Sequence, residues 1–335
     1  MSAATDSVES AYQLHRLTPQ YAEQIPALTL RVNGPSYVHA EVYHPERLLR
    51  MNESGDLVSV VALHGSGEVV GHCALERPGR AAIAETGEAM VLPEHRHHHL
   101  LDRMHGYLDQ LAGAIGILGL RSDAVTHHTF SQLTLERFHS TPTAIQLAAL
   151  PASADHVEDT YPQRLSFIDY FKYLSTPPEA IVHLPERHRT ICEQIFDGLG
   201  RKVRFGAPER AAKPGELDAE YAPDKQRATI AVKTPGADTA ARIRGARDEY
   251  CASAGAAAVF VEVPLSDSGT AALCDELEQH GFFFSGVKIG EPPAGDVLRM
   301  QFLKCPLDLS LVRLDGDLAH AILDYIGAER KRVSR

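Results

Sequence analysis

A chain of 335 residues is longer than one typical domain, so two domains are the starting expectation. An apolar fraction of 44% with 23% charged residues excludes a disordered or fibrous chain, and a net charge of −11 argues against a broadly basic nucleic-acid-binding surface, a local basic groove aside. Five widely spaced cysteines without a C-x-x-C pair read as buried thiols of a reducing compartment. With neither a cationic, apolar leader nor an apolar run of membrane length, the expectation is a soluble, cytoplasmic protein without membrane contact.

The first ten residues are small and polar and are expected to fray. Residues 12–17 alternate as a strand. Thr18-Pro19 starts a helix, with Tyr21, Ile25, Leu28 and Val32 on its apolar face and a stop near Asn33-Gly34-Pro35. A second helix is expected over 45–53. Residues 57–63 and 68–75 flank His64-Gly-Ser-Gly67 as a hairpin, and 81–92 add a third strand. Leu100, Leu101, Met104, Leu108 and Leu111 then recur at helical spacing. A strand is expected over 120–128, a short helix over 130–138, and strands over 143–150 and 164–174. Thr176-Pro177-Pro178 is the expected linker, since neither proline continues a helix or donates to a sheet.

Beyond the linker the pattern restarts. Strands are expected at 180–184, 216–222, 227–233, 257–264, 282–289 and 296–304, and helices at 185–199, 239–254, 270–280 and 315–327. The stretch 206–215 reads as an exposed loop. The domains are therefore placed at 10–175 and 176–335, with similar element order suggesting a diverged duplication.

The central stretch is Glu85-Thr-Gly-Glu-Ala-Met-Val-Leu-Pro-Glu-His-Arg-His-His-His-Leu-Leu, a strand feeding a loop that opens a helix. Such a helix N-terminus offers free N–H groups and a positive dipole end to an anion. The order Val-Leu-Pro-Glu-His-Arg-x-x-x-Leu resembles the donor-binding segment of the GNAT acyltransferase superfamily. Leu57-Val-Ser-Val-Val-Ala, Val69-Val-Gly-His-Cys-Ala-Leu75, Asp123 to Gln132, Phe282-Phe-Phe and Gly295 to Gln301 resemble segments of a bacterial tandem-GNAT family, covering most of residues 12–327. The resemblance implies an α+β fold, of mixed α/β type. Two GNAT-like domains are expected, each a mostly antiparallel mixed sheet flanked by helices, the second degenerate.

The resemblance also implies a donor site at Val91, Leu92, Arg96, His97, His98, His99, Leu100 and Leu101. Arg96 matches the start of the family's phosphate loop, whereas the two expected glycines fall at His99 and Leu101. Fourteen of the eighteen histidines precede Thr176, and the loop at 233–238 lacks an Arg-led phosphate segment, so the catalytic half is placed first. The implied chemistry is attack of an amine on an activated acyl carbonyl, which needs a base and a proton for the leaving group. Glu88 and Glu85 are the candidate bases, brought to one side by a bulge at Gly87, or else one is an ordinary solvent-facing strand residue. His128 and Ser131 are candidate proton donors, Ser131 alternatively capping the following helix. His95-Arg-His-His-His99 lacks zinc-finger or HExxH spacing, and no metal is expected there.

Four readings follow from these residues. The first is an N-acyltransferase acting on a small-molecule amine, without a tightly bound cofactor and with acyl-CoA or a carrier-protein thioester as cosubstrate. A second takes the acyl group from an aminoacyl-tRNA. A third is a non-catalytic binding protein, and the fourth a structural subunit.

Overall fold

The computed structural model describes residues 11–37, 39–65, 67–155, 161–291 and 295–334, so the expected frayed start lies outside the described residues. The fold is mixed α/β, built of sheets flanked by helices. The chain packs as two compact units, Met1–Ser122 with Tyr173–Ser175, and Asp123–Lys172 with Thr176–Arg335.

In the first unit, β1 (Tyr12–Arg16) is followed by helices α1 (Pro19–Ala22), α2 (Ile25–Asn33) and α3 (Pro45–Ser54). Pro19 occupies the first turn of α1, where its missing N–H costs nothing, and Gly34 and Gly55 end α2 and α3 at positive φ. Strands β2 (Leu57–His64), β3 (Glu68–Glu76) and β4 (Ile83–Val91) form an antiparallel meander, with β1 against β2. Nearly every residue of β2 and β3 is buried, as expected of strands covered on both faces. Helix α4 (Leu100–Ala114) lays Leu100, Met104, Leu108 and Ala112 into this core.

The opening residues of β5 (Gly119–Val125) run parallel to β4, with Gly119, Leu120 and Arg121 opposite Ile83, Ala84 and Glu85. Beyond Glu85, among the described pairings, β4 is held by β3 alone. The site described below lies on that part of β4.

The second unit contains α5 (Phe130–Arg137) and a sheet in the order β7-β6-β13-β14-β12-β11-β10. Its strands are β6 (Thr141–Leu150), β7 (Leu165–Tyr173), β10 (Glu216–Ala222), β11 (Arg227–Thr234), β12 (Ala258–Pro264), β13 (Phe283–Lys288) and β14 (Val297–Leu303). All neighbours are antiparallel except β11 and β12. Helices α6 (Arg189–Gly198), α7 (Thr239–Glu249), α8 (Thr270–Glu278) and α9 (Asp317–Val333) complete it, and β8 (Ala180–Val182) pairs separately with β9 (Val203–Phe205).

The expected division at 175/176 follows the prolines, but the packing places 123–172 with the later residues. The reason lies at β6 and β13. Gly286, at φ +128°, sits so close to Ala144 that a Cβ would stand 2.3 Å from its Cα. Ser285 Oγ donates to the Ile145 carbonyl at 2.6 Å, and Gln301 Oε1 accepts from Leu147 N–H at 3.1 Å while its amide donates to the Leu147 carbonyl. The linker residues 176–179 are themselves irregular, as expected.

Candidate active site

The β3–β4 pairing pairs His72 with Met90 and Ala74 with Gly87, so three residues of β4 span what two of β3 span. The extra residue makes a bulge, and within it Glu88 takes φ +52°, uncommon for a residue with a side chain. At Gly87 beside it, a Cβ would stand 2.9 Å from Glu76 Oε1 and push that side chain aside. The bulge turns Glu88 inward, 1% exposed, while Glu85 faces solvent on the same strand.

Four side chains from two other elements gather around Glu88. His39, ahead of the 3-10 turn Ala40–Tyr43, stands with Nδ1 3.2 Å from Glu76 Oε1, 3.6 Å from Glu41 Oε1 and 4.0 Å from Glu88 Oε1. Behind them His72 Nδ1 lies 3.6 Å from Glu88 Oε2. Neither oxygen of Glu88 and neither ring nitrogen of His72 has a hydrogen bond of good geometry among the described residues. Buried polar groups are ordinarily paired, so this concentration marks a place shaped for something other than stability.

The electrostatics follow from burial. Removal from water, with Glu76 and Glu41 adding like charge, pushes the Glu88 carboxyl up to about 9. Burial, then the surrounding carboxylates, also raises Glu76, although His39 pulls it the other way. The His72 imidazole is driven down to about 4, chiefly by burial, and is neutral at pH 7. Burial and then Glu88 push the Cys73 thiol up to about 12, and the same two causes raise the Tyr37 hydroxyl. At neutral pH the free protein therefore holds a proton on Glu88. A cation placed against it would release that proton, because a nearby positive charge favours the carboxylate.

The loop after β4 has an unusual backbone. His97 and His99 both adopt positive φ, +68° and +54°, the region that favours glycine. His99 precedes α4, and no side chain caps that helix. Its first N–H groups face away from any intrahelical partner, as at every helix start. His97 and His99 are exposed and His98 half-buried; Leu92 and Leu100 are buried, with Val91 and Leu101 half-buried between core and surface. Arg96 is exposed and donates from Nε to the Val91 carbonyl at 3.3 Å. The His99 ring lies 3.2 Å from Asp102 of its own helix. The glycine-type conformation thus persists at 97 and 99 under histidine side chains.

His128 and Ser131 belong to the second unit. Ser131 does not cap α5: Thr129 holds that position, and Ser131 stands in the first turn. The neighbouring Gln132 is a structural clamp. Its Nε2 donates to the carbonyls of Val125, His128 and Arg313, and its Oε1 accepts from Asp315 N–H.

Sequence reasoning missed His39, Glu41 and Glu76. His39-Ala-Glu41 lies in a 3-10 segment without periodicity, and Glu76 ends a strand where a charged residue ordinarily faces water. The available signal was His39 and Glu41 placed just ahead of the apolar Val42, which is buried.

No protein-family model matches the chain, and no curated protein matches it in sequence. Solved structures it is similar to include acetyltransferases. They include the ribosomal-protein-S18-alanine N-acetyltransferase of Escherichia coli, with a TM-score of 0.39 and 12% identity over 50% of this chain and 96% of that one. The ribosomal-protein-S5-alanine acetyltransferase of Vibrio fischeri has a TM-score of 0.41 and 13% identity over 50% and 96%. A GNAT superfamily phosphinothricin acetyltransferase of Sinorhizobium meliloti, solved with AcCoA, has a TM-score of 0.39 and 16% identity over 49% and 89%. No helix among the described residues is long and apolar enough to cross a membrane.

Proposed function

We propose that this chain is a GNAT-type N-acyltransferase that moves an acyl group from an acyl-CoA thioester to an amine, with Glu88 as the proton acceptor. The observation that carries the reading is the bulge, which buries the Glu88 carboxyl among His39, Glu41, Glu76 and His72 on the part of β4 past its pairing with β5. An ammonium group entering beside Glu88, Glu76 and Glu41 replaces the proton on Glu88. The carboxylate takes one proton from the ammonium, and the freed nitrogen attacks the thioester carbonyl. As the tetrahedral adduct collapses, the C–S bond breaks and the departing thiolate takes the nitrogen's second proton through water. Neutral His72 backs the carboxyl without competing for the proton.

The loop at 96–99 and the start of α4 are the proposed donor cradle, with Arg96 and the open amides of the first turn facing the donor's phosphates. Asp102 in that first turn opposes an anion, and histidine side chains occupy the two left-handed positions, so the donor is held more by backbone and Arg96 than by a bare glycine loop. His128 and Ser131 lie in the second unit, and no step of the proposed mechanism is routed through them. Catalysis is assigned to the half that carries Glu88. Carrier-protein and aminoacyl-tRNA donors have no specific observation in their favour.

The test is product mass spectrometry with a panel of acyl-CoAs and small amines, on the native chain and on Glu88→Gln. An acylated amine should form with the native chain, and turnover should fall by about a hundredfold or more in Glu88→Gln with the fold intact. Full activity in Glu88→Gln would remove Glu88 from the mechanism. Formation of no product with any thioester would remove the function.

A further inference from the structure

His95, just ahead of the proposed donor loop, is not used by the proposed chemistry, and it joins a second cluster away from Glu88. Strands β1, β2 and β3 place Tyr12, His64 and Glu68 in one cross-strand row, Tyr12 opposite His64 and His64 opposite Glu68. Directly opposed residues of an antiparallel pair share a face and stand close. His95, at the end of the 3-10 turn Pro93–His95, stacks on this row. Its ring lies 4.8 Å from that of His64, and its Nδ1 is 3.0 Å from the Tyr12 hydroxyl. One ligand atom each of His64, Glu68 and His95 lies within 4.8 Å of the others.

We infer that His64, Glu68 and His95 form a binding site for a zinc-like divalent transition metal ion, which fastens the turn leading into the 96–99 loop to the β2–β3 hairpin. Two imidazoles and one carboxylate are a donor set suited to such an ion, with further positions left to water. Donors about 2.0–2.2 Å from one ion stand roughly 3.4 Å apart in a tetrahedron. Closing the present spacing takes about an ångström of side-chain movement, which the exposed Glu68 supplies at little cost.

Support comes from the shell behind the ligands. A ligating histidine ordinarily gives its other ring N–H to an oxygen, and Tyr12 OH stands at that place for Nδ1 of His95, leaving Nε2 for the ion. Tyr12 is itself fixed: its side chain is buried, its ring packs on His64 and His98, and its carbonyl accepts from Arg103 Nη2 at 3.0 Å. Two of the three ligands ride on paired strands, and the third follows a turn closed by His95 N–H on the Leu92 carbonyl at 2.9 Å. The site is therefore nearly formed before any ion arrives, which lowers the ordering cost of binding. It does not rest on the acyl-transfer reading.

Calorimetric titration of the full chain with ZnCl2, and visible absorption with CoCl2, test the proposal. Saturable one-to-one binding is expected, with d–d bands of low-coordinate cobalt. The double variant His64→Ala/His95→Ala and the single Glu68→Gln should each weaken binding by roughly tenfold or more. His97→Ala and His99→Ala should bind as the native chain does. Zinc should also slow proteolysis within residues 96–99 of the native chain, and do so far less in Glu68→Gln, whose change lies at an exposed hairpin end and spares the fold. Native-like binding in the double variant and Glu68→Gln would place the ion elsewhere, at His39–Glu41–Glu88 or His188–Glu278–Glu329, and overturn the proposal. Absence of any binding would do the same.

Discussion

Two of the groups of acidic side chains that leave water in this molecule are handled in opposite ways. In the second unit Arg299, 6% exposed, reaches Asp169 with one guanidinium nitrogen and Glu262 with another at 3.0 Å, and Lys288 Nζ adds a bond to Glu262 at 3.0 Å. Burial works to raise Glu262, but Arg299 and Lys288 outweigh it and hold the carboxyl below its usual value. In the first unit Glu88 is buried beside Glu76 and Glu41 with no cation bonded to it, and it is pushed up to about 9. A buried acid with its counter-charge is a structural part; a buried acid without one is held ready for a ligand.

The sharpest way to break this contrast is to remove the counter-charge. Arg299→Met leaves Asp169 and Glu262 buried and unpaired and should cost about 3–5 kcal/mol by chemical denaturation. Glu88→Gln should leave stability at neutral pH unchanged or higher, because it removes a strained acid. If Glu88→Gln unfolds the chain as Arg299→Met does, the two clusters do the same job and the contrast fails.

The next test is pH. A carboxyl raised from its usual 4.5 to about 9 binds a proton more tightly in the native state, so its contribution is present below about 4.5 and lost as pH rises through about 9. Denaturation midpoints across that window should decline less in Glu88→Gln. The proposed base must also be ionised in the free enzyme, so kcat/KM should climb toward pH 9. A profile flat from pH 6 to 9 would mean that Glu88 is not the group being titrated.

A smaller effect separates loop shape from loop chemistry. His99→Gly relieves a left-handed histidine and should stabilise the chain by about 0.5–1 kcal/mol. It should also improve binding of acetyl-CoA, measured by calorimetry, by clearing the approach to the backbone. Stabilisation without any gain in affinity would sever the loop from donor binding.

Much of the fold was legible because periodicity survives in isolated segments. The apolar spacing of Leu100, Met104 and Leu108 is a helix whatever surrounds it, and 257–264 is a buried strand on composition alone. The allegiance of β6 was not legible. Two prolines at 177–178 look like a boundary, whereas the decisive feature is the bare backbone of Gly286 against Ala144, more than a hundred residues apart in the chain. The site divides in the same way. Glu88 and Gly87 were visible as a carboxylate beside a bulge-forming glycine. His39 and Glu41 come from one short 3-10 segment and Glu76 from a strand end, and they acquire meaning only once packed together. At 99 the sequence showed that glycine was missing; that the backbone kept a glycine's conformation was beyond it.

The Gln301 clamp on Leu147 has a consequence for how the chain is made. The two residues are 154 positions apart, and translation at about 5–20 residues per second puts roughly 8–30 seconds between their emergence. Throughout that interval the β6 edge that receives β13 has no partner, and it is an apolar edge of ten residues. The nascent chain thus carries a sticky, unpaired strand well before its closing piece exists. Growth at lower temperature or with extra chaperone is the remedy such an edge calls for.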